Sequence, residues 1–262
     1  MKRYFLICGL LGLLLLAEGA EAKEKPVIRI LTYNVHHCNP PSKPGLIDIN
    51  AVANVINRVK PDVVTLQEID VHTGRSGKDV DEAQALAKKT GMYAFFLKNI
   101  DYDGGAYGIA ILSKSKWIDT ATLHLPMDAA SGGEPRGLAT VILKMKRGRR
   151  VVIACTHLDL KPQNRILQIN AIEQFVKKSA YPVIIGGDFN ALPGSDVINH
   201  LDGFMQRTCN QCPYTIPETH PNRTIDFIAF TPGKFKIQHH EVMSEPYASD
   251  HLPVFADLKI VY

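Results

Sequence analysis

What this chain has little of narrows its reading first. Tryptophan occurs once, and no internal repeat, linker or low-complexity stretch divides the 262 residues, so one domain is the economical organisation. The formal charge is only +4, whereas strong nucleic-acid binders carry a larger and more concentrated basic excess. The one basic run, Lys144, Lys146, Arg147, Arg149 and Arg150, reads as a solvated hairpin turn between Val141-Ile142-Leu143 and Val151-Val152-Ile153. Beyond residue 22 no apolar segment approaches the ~20 residues of a membrane span. Cysteine gives one close pair, Cys209-Asn210-Gln211-Cys212, and no second pair to complete a zinc site. That pair is read first as a small disulfide loop, with half a zinc site as the alternative. Cys155 reads as a small buried residue in mid-strand, and Cys38 has no assignment.

The first 22 residues have the order of an export signal. Lys2 and Arg3 precede the apolar segment Tyr4 to Ala17, and Gly19-Ala20-Glu21-Ala22 supplies a small-residue end with cleavage expected after Ala22. A membrane anchor is the alternative, for which the segment is short. Phe5-Leu6-Ile7 ahead of Cys8 lacks the small residue expected before a lipidated cysteine. The reading places residues 23–262, one domain, in a periplasmic or extracellular and oxidising compartment.

What is present is a large core. Hydrophobic residues make up 45% of the chain, and strand-like runs outnumber helices. Several runs are apolar for four to seven residues without alternation, which means burial on both faces. Four helices are expected: Asp48 to Val59, Val80 to Lys89 stopped by Gly91, Gln163 to Lys178, and a short one capped by Ser195 and ending by Gly203. The fold class expected is α/β (α+β), with two packed mixed β-sheets flanked by helices. Met92 to Leu97 reads as a core strand rather than a membrane hairpin, Trp117 and Tyr214 as packing residues, and His239-His240 as surface near a turn.

Six apolar runs carry polar residues at their ends: Ile30 to Asn34, Val63 to Glu68, Val151 to Thr156 before His157 and Asp159, Val183 to Gly187 before Asp188 and Asn190, Thr224-Ile225-Asp226, and Ser249-Asp250-His251. If the runs are buried strands, these ends converge at one rim. Asn34, Glu68, Asp188, Asn190 and Asp250 offer hard oxygen donors, which suit Mg²⁺ or Mn²⁺ better than Zn²⁺. In Asp188-Phe189-Asn190 an extended backbone puts both polar side chains on one face. Gly186-Gly187 removes side chains where substrate or a neighbouring backbone must come close. Asp159 reads as support for the loop before Lys161-Pro162.

The ordered set Thr32-Tyr33-Asn34, Leu66-Gln67-Glu68, Tyr107 to Ser113, Thr156-His157-Leu158, Gly187-Asp188-Phe189-Asn190, Ile225-Asp226-Phe227 and Ser249-Asp250-His251 resembles the endonuclease/exonuclease/phosphatase superfamily, from Ile28 to the C-terminus. The resemblance implies a four-layered sandwich and metal-dependent cleavage of a phosphate ester by an activated water. It implies Glu68 as principal metal ligand, with Asn34 beside it and Asp250 contributing. Asp188 would orient or deprotonate the water, Asn190 would hold a phosphate oxygen and the water, and His157 would donate to the phosphate. His251, its tautomer fixed by Asp226, would act at the scissile phosphate as base or as charged stabiliser. Arg136, before the strand Leu138 to Leu143, is either a bidentate grip on the phosphate or a surface arginine on a loop. Where some nucleases of the group have an aspartate, this chain has His36, followed by His37; the pair binds metal, contacts substrate or fills a loop.

The function read from the chain is therefore an exported Mg²⁺- or Mn²⁺-dependent phosphoesterase, a phosphodiesterase in the first instance. Its substrate is a phosphorylated small molecule, a lipid head group or nucleic acid, with no stable protein partner and a monomeric state. A secreted nuclease is the runner-up, because a nuclease needs basic and aromatic loops for which there is little length. A non-catalytic cation-binding module is the alternative of another class. A binuclear metallophosphoesterase is disfavoured by Ala191, where its aspartate would stand.

Overall fold

A computed structural model describes residues 26–262. The export segment expected over residues 1–22 lies outside them. In chain order the elements are β1 (Val27–Asn34), α1 (Ile49–Val59), β2 (Val63–Val71), α2 (Glu82–Thr90), β3 (Tyr93–Tyr102) and β4 (Gly105–Ser113). There follow β5 (Asp119–His124), β6 (Gly137–Lys144), β7 (Arg150–His157), α3 (Pro162–Lys178), β8 (Val183–Asp188) and α4 (Asp196–Phe204). The short β9 (Gln206–Arg207), β10 (Asp226–Phe230), β11 (Phe235–Val242) and β12 (Val254–Ile260) complete the chain.

Each helix forms where its end signals stand. Asp48 caps α1 by accepting from Ala51 N at 3.0 Å, and Lys60 closes it in the left-handed region. Asp81 caps α2, and Gly91 ends it at φ 67°. Pro162 opens α3, where its missing N–H has no partner to lose, and Ser195 caps α4. On α1 the stripe Val52, Val55, Ile56 and Val59 is buried, each side chain contributing about 1.5–3 kcal/mol of transfer free energy.

The strands form two six-stranded mixed sheets, β11-β12-β1-β2-β4-β3 and β5-β6-β7-β8-β10-β9. Ile28 and Ile30 of β1, Ile109 and Ile111 of β4, and Ile153 and Cys155 of β7 pack between the sheets. The alternate residues face outward: Leu31 and Tyr33 meet α1 and α2, while Val152, Ala154, Val183 and Ile185 meet α3 and α4. Helices, sheet, sheet and helices make four layers. The unbroken apolar runs are thus explained, since both faces of the inner strands are covered.

Some strand readings differ in the structure. The run Val63 to Glu68 does not end at Glu68; β2 continues to Val71, kinked by a bulge between Gln67 and Ile69. Met92 stands just before β3 and Tyr93 to Leu97 lie in it; the strand is at the sheet edge with Tyr93 half exposed, yet Met92 and Leu97 are buried and Phe95 and Phe96 pack on the core, as read. His239 and His240 lie within β11, not at a turn, and His240 Nδ1 pairs with Thr208 Oγ1 at 2.8 Å. Trp117 packs on the inter-sheet core, whereas Tyr214 is exposed. Cys209 and Cys212 are disulfide-bonded, and Cys38 and Cys155 are buried free thiols.

Candidate active site

The rim converges because β1, β2, β7 and β8 point their C-terminal ends the same way: β1 is parallel to β2, and β7 to β8. Asp226 and His251 arrive differently from the sequence reading. Asp226 begins its strand, and β10 runs antiparallel to β8, so Asp226 faces Asp188. His251 stands in the loop that precedes β12, which is antiparallel to β1.

Contact between the sheets sets the distance across the rim. A Cβ on Gly186 would collide with Thr65 Oγ1 and lie 3.1 Å from Thr32 Cβ, so only glycine lets β8 approach β1 and β2 this closely. On Gly187 a Cβ would strike the Thr156 carbonyl of the adjacent strand. A buried polar seam continues the contact, with Gln67 Nε2 donating to Thr32 Oγ1 at 3.3 Å and lying 3.4 Å from Cys155 Sγ.

Glu68 is placed by backbone geometry. It is the extra residue of the β2 bulge and sits at φ 60°, a conformation costly for a residue with a Cβ. The bulge turns its carboxylate out of the pleat toward Asn34, whose Nδ2 donates to Glu68 Oε1 at 3.0 Å and to Asp188 Oδ2 at 3.1 Å. Asn34 is fixed in turn by His36 N–H donating to its Oδ1 and by Ser249 Oγ donating to its carbonyl at 2.8 Å.

Asp188 is the hub. Its Oδ2 lies 3.5 Å from His157 Nε2 and 3.8 Å from His251 Nε2, and its Oδ1 accepts from Asn190 N–H at 2.8 Å. Burial, then the charge of Asp226, raises the Asp188 carboxyl well above the usual carboxylate range. Burial opposes charge on His251, but Asp226 and then Asp188 outweigh it and push the imidazole up to about 10. His157 is buried next to the Arg136 and His251 charges and is held well below its ordinary value, hence neutral. Its Nδ1 has no partner among the described residues.

Asp226 accepts from Thr215 Oγ1 at 2.6 Å and pairs with His251 Nδ1 at 2.9 Å. Thr215 went unseen in the sequence; it stands in an irregular segment between Tyr214 and Ile216, and no motif marks it. Asn190 turns its Nδ2 to the Leu158 carbonyl at 2.9 Å. Asp250 is half-buried beside the cluster, accepts from Ser249 Oγ at 3.3 Å, and acts by charge on His251 and His37. Asp159 accepts from Lys161 N–H and Asn164 Nδ2, which is loop support.

Arg136 is not a surface arginine. Only 4% exposed, it pairs with Glu134 Oε1 through Nη1 at 2.8 Å, and its Nε has no partner among the described residues. A buried guanidinium with free N–H groups is suited to an anion. His36 uses Nδ1 on the Asn39 carbonyl at 2.9 Å, inside a turn where His36, His37 and Cys38 all have positive φ. That geometry anchors the loop.

The donor set fits a hard divalent cation. Glu68 Oε1 and Asp188 Oδ2 are both drawn to the Asn34 Nδ2 amide, with half-buried Asp250 nearby, so the carboxylates gather at one point of the rim; such hard oxygen donors suit Mg²⁺ or Mn²⁺. Asp188, Asp226 and His251 also present ligand atoms within 4.8 Å of one another. There, however, both Asp226 oxygens face the His251 ring, Thr215 also donates to one of them, and a protonated imidazole donates rather than ligates. The donor atoms of that trio are thus already engaged with one another and with Thr215.

A model of the family described as "Endonuclease/Exonuclease/phosphatase family" matches residues 31–251. No curated protein matches the chain. Among solved structures, an endonuclease/exonuclease/phosphatase from Beutenbergia cavernae DSM 12333 is 23% identical with a TM-score of 0.73, over 89% of this chain and 72% of that one. Another, from Bacteroides vulgatus, is 22% identical with a TM-score of 0.75, over 90% of this chain and 100% of that one. The mannosyl-6-phosphatase Bt3783 of Bacteroides thetaiotaomicron VPI-5482 is 17% identical with a TM-score of 0.72, over 90% and 100%. These likenesses are of fold.

Proposed function

The chain belongs to the endonuclease/exonuclease/phosphatase family of metal-dependent phosphoester hydrolases, and from that premise we propose that it is an exported Mg²⁺- or Mn²⁺-dependent enzyme acting on a phosphodiester or phosphomonoester of a small molecule. The observation that carries this reading is the position of Asp188 Oδ2, within 3.1 Å of Asn34 Nδ2, 3.5 Å of His157 Nε2 and 3.8 Å of His251 Nε2.

Each residue then has one task. Glu68 would hold the cation, with Asn34 beside it and Asp250 contributing; the bound ion would supply positive charge at a phosphate oxygen. Asp188, its proton affinity raised by burial, takes the proton of the attacking water. Asn190 positions that water and a phosphate oxygen. His157, neutral, donates a hydrogen bond to the phosphate. Asp226 keeps His251 protonated through Nδ1, which leaves Nε2–H to donate to charge developing on the phosphate oxygens; this favours the charged-stabiliser role over the base. Arg136 offers its unpartnered N–H groups to the same phosphate.

A small substrate is supported by where the basic run sits. Lys144 to Arg150 join the ends of β6 and β7 opposite the rim, and seven residues of strand separate Arg150 from His157, about 23 Å. Those charges do not line the rim and form no basic stripe beside Asp188. The test is a panel with Mg²⁺: bis-p-nitrophenyl phosphate, plasmid DNA, sphingomyelin and inositol phosphates. Hydrolysis of small esters with DNA left intact is expected. Rapid nicking of plasmid DNA would favour the nuclease reading, and inertness on all four with Mg²⁺ or Mn²⁺ would refute the proposal.

A further inference from the structure

We propose that a cavity beside Arg136, walled by Arg75, Ile100, Tyr102, Tyr107 and Glu134, is the leaving-group subsite, and that it takes a neutral polyhydroxylated ring such as a sugar or cyclitol. The inference rests on the phosphoesterase reading and adds to it the chemistry of the alcohol released.

Location comes from the backbone. β4 is flanked by two bulges, at Glu68 in β2 and at Asn99 in β3, and both fall opposite Gly108. A Cβ at Gly108 would collide with the Leu97 carbonyl and lie 3.1 Å from Asn99 N, so a glycine is required between them. The kinks turn Glu68 toward the rim and leave a hollow at Ile100, Tyr102 and Tyr107. Glu134 joins the hollow to Arg136 at 2.8 Å, and the charge of Glu68 is felt at both Tyr107 and Glu134. Cavity and phosphate grip therefore share a wall.

Size limits the occupant. The cavity measures about 190 Å³, room for about six waters and below the ~300 Å³ at which pockets for drug-sized ligands begin. One six-membered ring is of that scale; a nucleotide with its neighbours is not.

Charge decides its character. Arg75 is the cation of the cavity, but its Nε and Nη2 grip buried Asp70 at 2.7 and 2.9 Å. Its guanidinium carbon lies over the two phenol rings, 4.4 Å from the centroid of Tyr102 and 5.5 Å from that of Tyr107. Arg136 is balanced by Glu134. No unbalanced cation remains for a second phosphate, and Glu134 would repel one. What the walls do offer suits hydroxyls and a C–H-rich ring face: a carboxylate to accept, two aromatic surfaces, and two phenol groups that no hydrogen bond engages among the described residues.

The experiment compares kcat/KM with Mg²⁺ for glucose 6-phosphate, myo-inositol 1-phosphate, inositol hexakisphosphate, p-nitrophenyl phosphate and bis-p-nitrophenyl phosphate, in the wild type and in Tyr102→Ala. We expect the two polyol monophosphates to exceed inositol hexakisphosphate at least tenfold. In Tyr102→Ala the ratio of kcat/KM for glucose 6-phosphate to that for p-nitrophenyl phosphate should fall at least tenfold. Chelated protein, which turns nothing over, should melt higher with glucose 6-phosphate present, and Tyr102→Ala should lose most of that shift. An unmoved ratio, a preference for the hexakisphosphate, or the same melting shift in the variant overturns the inference. Hydrolysis of the p-nitrophenyl esters without preference for polyols ends the inference alone; failure on every ester ends the phosphoesterase reading as well.

Discussion

His251 Nδ1 lies 2.9 Å from Asp226 Oδ2, and the same oxygen accepts from Thr215 Oγ1 at 2.6 Å. The pair joins the start of one strand to a loop before another, and each member is almost fully buried. A carboxylate so placed orients the ring through Nδ1 and keeps the imidazole charged.

Asp226→Asn removes that charge but not the volume. Turnover should fall by about 10²–10⁴-fold, with KM changed far less. Thr215→Val, which loosens Asp226 without discharging it, should cost about ten- to a hundredfold. Steady-state kinetics on a small phosphate ester measures both, and an Asp226→Asn enzyme with full kcat would refute the pairing's role.

Asp188→Asn and His251→Ala should each lose about 10³-fold or more in kcat while melting within a few degrees of wild type. In Asp188→Asn a buried charge next to Asp226 is replaced by a neutral group, so stability should hold or rise. Calorimetry beside kinetics separates lost chemistry from lost folding.

Chelation should silence the enzyme, and Mg²⁺ or Mn²⁺ should restore it. Glu68→Gln should raise the metal concentration for half-activity by about ten- to a hundredfold, the scale seen when a site's ligand support is altered. Titration of metal against activity gives the comparison, and an unchanged midpoint would remove Glu68 from the ligand set.

Gly186→Ala inserts a methyl against Thr65 Oγ1 and Thr32 Cβ between the sheets. Overpacking there should cost about 1–3 kcal/mol and spread the rim, so activity falls along with the melting temperature. The same substitution at exposed Gly45, where no atom lies within 4 Å, meets only the penalty of its positive φ.

Glu82 is buried, which raises its carboxyl to about 8; Oε2 accepts from Asp70 N–H and Oε1 has no partner among the described residues. The native chain therefore holds a proton that the unfolded chain, with an ordinary carboxyl near 4.5, releases. Stability from this group is full below about 4.5 and falls as pH rises to about 8, by at most ~1.4 kcal/mol per pH unit. Glu82→Gln should flatten that part of the profile of melting temperature against pH. An equal slope in the variant would show that other groups set it.

The core and the helices were legible because local rules decide them. Asp48, Gly91, Pro162 and Ser195 are end signals that act within one turn, and unbroken runs such as Val183-Ile184-Ile185 can satisfy burial on both faces only as inner strands. The donor types, oxygen and imidazole at strand ends, were legible for the same reason. Thr215 was not, since its partner Asp226 lies eleven residues away through irregular chain. Nor was the burial of Arg136, which depends on how tightly the second sheet closes over it.

The amino-acid sequence by itself determined the layers, the helix ends and the kinds of group at the rim, since periodicity and capping are properties of a few neighbouring residues. Only the tertiary structure decided where β2 bulges to turn Glu68, that Asp226 enters at the beginning of an antiparallel strand, and that Arg75 is neutralised by Asp70. Those outcomes depend on strand direction, register and sheet-to-sheet distance, which are set by contacts between residues far apart in the chain.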